Sequence, residues 1–218
     1  MALYADRADA GRQLAELLTT WENRDAAADA VVLGLPRGGV VVAAEVAARL
    51  NLPLGAIAVR KLGSPGREEF AVGAIAGDAR VVDADALRAG GVSAVQLDAV
   101  ESRERAELRR RAALFAGGPT PAGRRALVVD DGIATGATAT AACRAVRAAG
   151  ATAVVLAVPV APQRWRPEPG LVDAYVCAHP QAEFWAVGRF YADFTQTTDA
   201  EVVALLSGGP GGADGAQP

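Results

Sequence analysis

Apolar residues in this chain follow two rhythms. Unbroken aliphatic or β-branched runs at Val31 to Leu35, Leu54 to Leu62, Leu127 to Val129, Ala153 to Val160 and Val172 to Cys177 read as strands. Runs without polar alternation are buried on both faces, which predicts a parallel sheet covered by helices on each side. Between them lie helical patterns. Ala8 to Thr20 places Leu14, Leu17 and Leu18 on one face, and further helices are predicted from about Val40 to Leu50, over Ser93 to Phe115 and over Thr138 to Ala149. The helix from Ser93 opens with the capping box Ser93-x-x-Gln96. Glu101/Arg105 and Glu107/Arg111 support it at i,i+4 spacing. Gly63 to Gly77 is too irregular to assign, and Arg80 to Asp83 reads as a returning strand. This alternation predicts a doubly wound α/β domain with a mainly parallel sheet.

Composition narrows the picture. A chain of 218 residues, 51% hydrophobic and 22% charged, suits one domain with a sizeable core. A single domain is expected over residues 1–206, with a core at about 31–180 and a disordered tail at 207–218, where nothing is available to bury. The net charge of −3 argues against a nucleic-acid partner, which requires a basic face. No apolar run approaches membrane-spanning length, and the first residues lack the basic start and apolar core of a signal peptide, so no membrane association is expected. Cys143 and Cys177 lack metal-ligand spacing and are expected to be buried thiols in a reducing cytoplasm. Arg109-Arg110-Arg111 sits among acids and reads as a solvated helix face. Lys61 is the only lysine in an arginine-rich chain, which suggests that a compact ammonium is wanted there.

The chemistry concentrates in Leu127-Val128-Val129-Asp130-Asp131-Gly132-Ile133-Ala134-Thr135-Gly136-Ala137-Thr138. A strand ends in paired acids, a small-residue loop follows, and a helix begins. The carboxyl edge of a parallel sheet is where ligands bind. A helix start attracts phosphate through its free N–H groups and dipole. The adjacent carboxylates suit sugar hydroxyls or a hydrated Mg²⁺. An ordinary turn in which an aspartate caps the helix is the plain alternative. No Walker loop, G-x-x-x-x-G-K-[ST], occurs.

That segment resembles the signature of the type I phosphoribosyltransferases, over 12 consecutive positions. The resemblance implies that the protein binds 5-phosphoribosyl-1-pyrophosphate. Asp130 and Asp131 would then hold the ribose, and the metal directly or through water. Gly132, Ile133, Ala134, Thr135, Gly136, Ala137 and Thr138 would wrap the 5-phosphate. Pro36-Arg37-Gly38-Gly39, again between a strand and a helix, is similar to the family's pyrophosphate loop, which often holds a cis peptide, by position Pro36–Arg37. Val59-Arg60-Lys61-Leu62-Gly63, with the glycine-containing stretch to Ala74, resembles the family's mobile catalytic loop, which closes over the pyrophosphate. The resemblance runs from about Val31 to Val203. Residues 184–194 also look like the ending of a bacterial subgroup.

The implied fold is the type I phosphoribosyltransferase fold, with a small hood from residues 1–25 and 181–206. The implied activity is Mg²⁺-dependent transfer of the phosphoribosyl group to a nitrogenous base or amine, with pyrophosphate released. Arg37, Lys61, Asp130 and Asp131 would be catalytic, and Pro36, Gly38, Gly39 and Arg60 would bind pyrophosphate. A homodimer is compatible with this picture. The competing reading is a non-catalytic sensor of ribose phosphates or nucleotides on the same fold. Family members acting on 6-oxopurines commonly carry a carboxylate immediately before the Thr-Gly pair. Ala134 stands there, so any general base would have to come from elsewhere, from Glu68, Glu69 or a hood residue, unless the acceptor needs none. The hood would use aromatics to hold a base, and residues 184–194 carry Phe184, Trp185, Phe190, Tyr191 and Phe194, although such clusters are more often small cores. Trp165 and His179 are expected to be structural.

Overall fold

A computed structural model describes residues 2–20 and 29–208; the tail from 209 and residues 21–25 of the expected hood lie outside them. The central sheet is five-stranded and wholly parallel: β1 (Ala30–Gly34), β2 (Leu54–Ala56), β6 (Arg125–Val129), β7 (Ala153–Pro162) and β8 (Ala174–Gln181), in the order β2-β1-β6-β7-β8. This is the strand order of a doubly wound sheet with its switch point between β1 and β6.

Both faces of the sheet are covered, as the unbroken apolar runs require. On one face Val32, Leu127, Val129 and Val155 pack against Leu14 and Leu18 of α1 (Arg7–Thr20) and Val42, Val46 and Ala47 of α2 (Gly38–Leu50). On the other, Val31, Leu33, Val128 and Leu156 meet Ala142, Cys143 and Val146 of α5 (Ala137–Ala148). No helix among the described residues is long and apolar enough to cross a membrane.

The single strand expected over Leu54 to Leu62 is two. β2 pairs with β1 only as far as Gly34↔Ala56, where its partner ends and the Ile57 N–H makes the last bond to the Gly34 carbonyl. The chain then leaves the sheet and opens β3 (Arg60–Ser64) of a separate antiparallel sheet, ordered β3-β4-β5 with β4 (Arg67–Ala76) and β5 (Ala79–Val82). The stretch that resisted assignment is therefore a β-hairpin rather than an irregular excursion. Its turn, Ser64-Pro65-Gly66-Arg67, has proline followed by a glycine at φ +74°, which only glycine adopts without strain. The register slips between Leu62 and Ser64, which obscures the period-2 pattern.

This second sheet packs Leu62, Val72 and Ile75 on Leu97, Val100 and Leu108 of α4 (Ala94–Leu114), while Ala74 and Ala76 join the core under α5. The Ser93–Gln96 capping box forms in both directions. A short α3 (Ala84–Gly90), capped by Asp83, precedes it. The described residues end in α6 (Asp199–Gly208), so Ser207 and Gly208, expected in the tail, are helical. Cys143 is buried and burial pushes its thiol up to about 12; Cys177 is only half-buried, because β8 is an edge strand.

Candidate functional site

Two helix starts face one cavity. β1 ends at Gly34 and α2 begins four residues later; β6 ends at Val129 and α5 begins at Ala137. Neither helix has a side-chain cap: position N-cap is Arg37 in α2 and Gly136 in α5, each without a capping hydrogen bond. Neither aspartate caps α5, so the plain capping alternative does not hold. Unsatisfied first-turn N–H groups and two positive dipole ends thus converge on the same place.

The cavity between them measures about 330 Å³. Pro36, Arg37, Gly38, Lys61, Asp130, Asp131, Gly132, Ile133, Ala134, Thr135, Gly136 and Thr138 line it. Three expected residues do not. Gly39 lies behind the wall, where a Cβ would sit 2.9 Å from the Asp130 backbone. Ala137 turns toward the core. Arg60 points to Glu104 of α4, donating from Nε and Nη2 at 2.8 and 2.6 Å, and lines a neighbouring cavity with Lys61, Glu68, Arg103 and Arg111. A larger groove of about 510 Å³ beside α4 and α5 has neither a helix start nor paired acids.

The acids are held asymmetrically. The Asp131 N–H donates to Asp130 Oδ1 at 2.9 Å. The Asp131 carboxylate accepts from Arg7 Nε at 2.7 Å, and its carbonyl accepts from the Tyr191 hydroxyl at 2.5 Å. Burial, then the charge of Asp131, raises the pKa of Asp130 well above the carboxylate range. Burial also raises that of Asp131, opposed by Arg7 and Lys61. The Pro36–Arg37 peptide is cis.

Several contributors carry no local mark in the sequence. Arg7 opens α1 in a chain full of arginines. Asp199 lies between Arg37 (3.8 Å) and Arg110 (3.7 Å). Trp165 donates to the Thr135 carbonyl at 3.3 Å. Within the aromatic segment the rings divide. Phe184, Phe190 and Tyr191 cluster with Tyr4 and Val160, Phe194 borders the cavity, and Trp185 is 81% exposed. His179 meets the Tyr4 ring edge-on at 5.7 Å.

Paired carboxylates lie between two open helix starts, at the switch point of a parallel sheet, an arrangement whose chemistry suits an anionic, hydroxylated ligand. The chain belongs to the phosphoribosyl transferase domain family, whose model matches residues 5–195. A Mycobacterium tuberculosis H37Rv protein, named for an inferred phosphoribosyl transferase activity, is 50% identical over 214 residues, covering 94% of this chain and 47% of that protein. The chain therefore spans about half the length of the curated relatives it matches. The crystal structure of TT1426 from Thermus thermophilus is 40% identical with a TM-score of 0.69, covering 94% of this chain and 98% of that one. A hypothetical Neisseria gonorrhoeae protein crystallised with bound ppGpp shares the fold at 16% identity and TM-score 0.52, covering 95% and 96%.

Proposed function

We propose that the protein is a Mg²⁺-dependent phosphoribosyltransferase, transferring the phosphoribosyl group of 5-phosphoribosyl-1-pyrophosphate to a nitrogenous base or amine. The observation that carries this reading is the convergence of two uncapped helix starts on a cavity walled by Asp130 and Asp131. The α5 start, with Thr135 to Thr138, takes the 5-phosphate, and the α2 start, with Arg37 and Lys61, takes the pyrophosphate. The two acids accept hydrogen bonds from the ribose hydroxyls.

In the reaction the bond from the anomeric carbon to pyrophosphate oxygen breaks and its electron pair leaves with the pyrophosphate. The acceptor nitrogen forms the new bond to that carbon and releases a proton. The transition state has oxocarbenium character. Charge develops on the leaving group, where Arg37, Lys61 and the loop N–H groups stabilise it. The oxygen-only donor set and the buried, mutually repelling acids suit a hard cation, and no cluster of three ligating side chains exists among the described residues. Asp130 and Asp131 would hold Mg²⁺, directly or through water. When bound, it supplies charge neutralisation at the pyrophosphate. The free cysteines fit a reducing compartment, and we place the protein in the cytoplasm.

The test is a screen of bases and small amines, monitoring Mg²⁺-dependent pyrophosphate release, beside calorimetry with the pyrophosphorylated sugar. Asp131→Asn is expected to weaken sugar binding by about 1.5–3 kcal/mol, the value of a hydrogen bond to a charged group. Unchanged affinity in that variant would overturn the sugar site. Tight binding with no turnover on any acceptor would favour a sensor.

A further inference from the structure

Arg7 is tied into the site by contacts that the reaction scheme above does not use. Its Nε donates to Asp131 Oδ2 at 2.7 Å and its Nη1 donates to the Thr195 carbonyl at 2.8 Å. Its guanidinium lies over the Phe194 ring, 3.8 Å from the centroid. The side chains of Arg7 and Asp131 are only 12% and 17% exposed. The fit against the loop is close enough that a Cβ on Gly38 would overlap both the Arg7 guanidinium and Asp131 Oδ2.

The direction of approach decides what this contact does. Asp131 and Phe194 line the 330 Å³ cavity, but Arg7 does not. It borders a separate hollow, with Asp6, Val41, Thr195 and Glu201. A guanidinium inside the cavity would compete with the ligand. Arg7 pairs with Oδ2 without lining the cavity, and so restrains the carboxylate without taking the ligand's place. The second anchor on the same residue, Tyr191 to the Asp131 carbonyl, comes from the same C-terminal segment that supplies Phe194 and Thr195.

We propose that Arg7 is a positioning residue for sugar recognition: it holds Asp131 in its hydroxyl-accepting orientation and ties that orientation to the segment carrying Phe194 and Thr195. The inference rests on the proposed ribose-phosphate site. It assigns to the start of α1, outside both loops and the hairpin, a share of the affinity for the sugar. The two arms of the Arg7 fork serve different ends, one setting the carboxylate and the other fixing the segment beside it. A lysine ammonium keeps the charge but cannot reproduce that bidentate geometry.

The experiment measures ribose 5-phosphate affinity by calorimetry in Arg7→Met and Arg7→Lys, each in the parent and in an Asp131→Asn background, with melting temperatures recorded alongside. Ribose 5-phosphate lacks the pyrophosphate, so the readout isolates the sugar half. Arg7→Met is expected to weaken binding about tenfold or more, the effect of losing a charge-assisted hydrogen bond. Arg7→Lys should fall between it and the parent. Both effects should shrink once Asp131 is asparagine, because the charge that Arg7 pairs with is gone and only a neutral acceptor remains. If Arg7→Met does not fold, the lysine variant carries the same cycle. Equal losses in both backgrounds, or no loss in either, would overturn the inference while leaving the proposed function intact. A wild type that binds neither ribose 5-phosphate nor the pyrophosphorylated sugar would overturn the proposed function, and this inference with it.

Discussion

Trp165 donates its indole N–H to the Thr135 carbonyl, and its ring occupies the space beside Gly136 where a side chain would go. The loop before α5 is thus braced by a tryptophan from the turn that follows β7, with Gly136 held at φ +87°. Gly136→Ala should fail twice, through backbone strain and through overlap with the indole. It is expected to abolish ribose 5-phosphate binding. Trp165→Phe keeps most of the packing and loses the hydrogen bond, an expected cost of about 1 kcal/mol in the same calorimetric assay. Parent-like affinity in both variants would show that the brace is irrelevant to the loop.

Lys61 is exposed on β3 and lines both the main cavity and its neighbour. If it neutralises charge chiefly as the pyrophosphate leaves, Lys61→Ala lowers kcat more than it raises KM. The reverse pattern would assign it to ground-state binding.

Ala134 is exposed on the loop lining the cavity and offers no carboxylate to an incoming base. Of the two glutamates that are candidate bases, Glu68 lines the neighbouring cavity instead, and the Glu69 side chain lies outside what is described. Hypoxanthine and guanine are therefore expected to be poor acceptors, by about tenfold or more, since general-base assistance contributes about 10²–10⁴-fold. Ala134→Asp should raise turnover with 6-oxopurines. Efficient formation of inosine or guanosine monophosphate by the unaltered protein would refute the prediction.

Glu107 on α4 accepts hydrogen bonds from Arg110 and Arg111, which hold its carboxyl down to about 2. A depressed folded-state pKa contributes stability above the ordinary carboxylate value and loses it as pH falls toward 2. Solvent screening limits such a surface cluster to about 0.5–1 kcal/mol. Glu107→Gln should therefore melt slightly lower than the parent at pH 7, with the gap closing near pH 2. A gap that persists in acid would show that the glutamate acts by packing.

The parallel sheet and its helices were legible because residues buried on both faces leave unbroken apolar runs, as at Val31 to Leu35 and Ala153 to Val160. The two loops at the helix starts were legible because glycine and threonine at a strand-to-helix junction have few other uses. The β3–β4 hairpin was obscured by its register slip. The capping box Thr198-x-x-Glu201 before Val202, Val203, Leu205 and Leu206 marks α6 as plainly as Ser93–Gln96 marks α4, and it forms in both directions. It passes unread when that stretch is taken only as hood. Arg7, Trp165 and Asp199 act across 124, 30 and 162 positions of sequence, on Asp131, Thr135 and Arg37 respectively, and no local pattern encodes a partner that far away.

β1 and β6 lie side by side, with Gly34 opposite Val129, and each releases one of the two loops at that shared end. The gap between the helix starts therefore begins as a single interstrand step of about 4.8 Å. This makes the site a gauge whose scale is written in backbone hydrogen bonds and is indifferent to side chains. Under the proposed function, substitutions in the loops or around Phe194 would alter which molecule is gripped and how firmly, while the reach between its two charged ends would stay the same. Altering the reach would mean slipping a register that buries Val32 against one layer of helices and Val128 against the other. Under the proposed function, acceptor choice is free to drift in this architecture, whereas donor length is not.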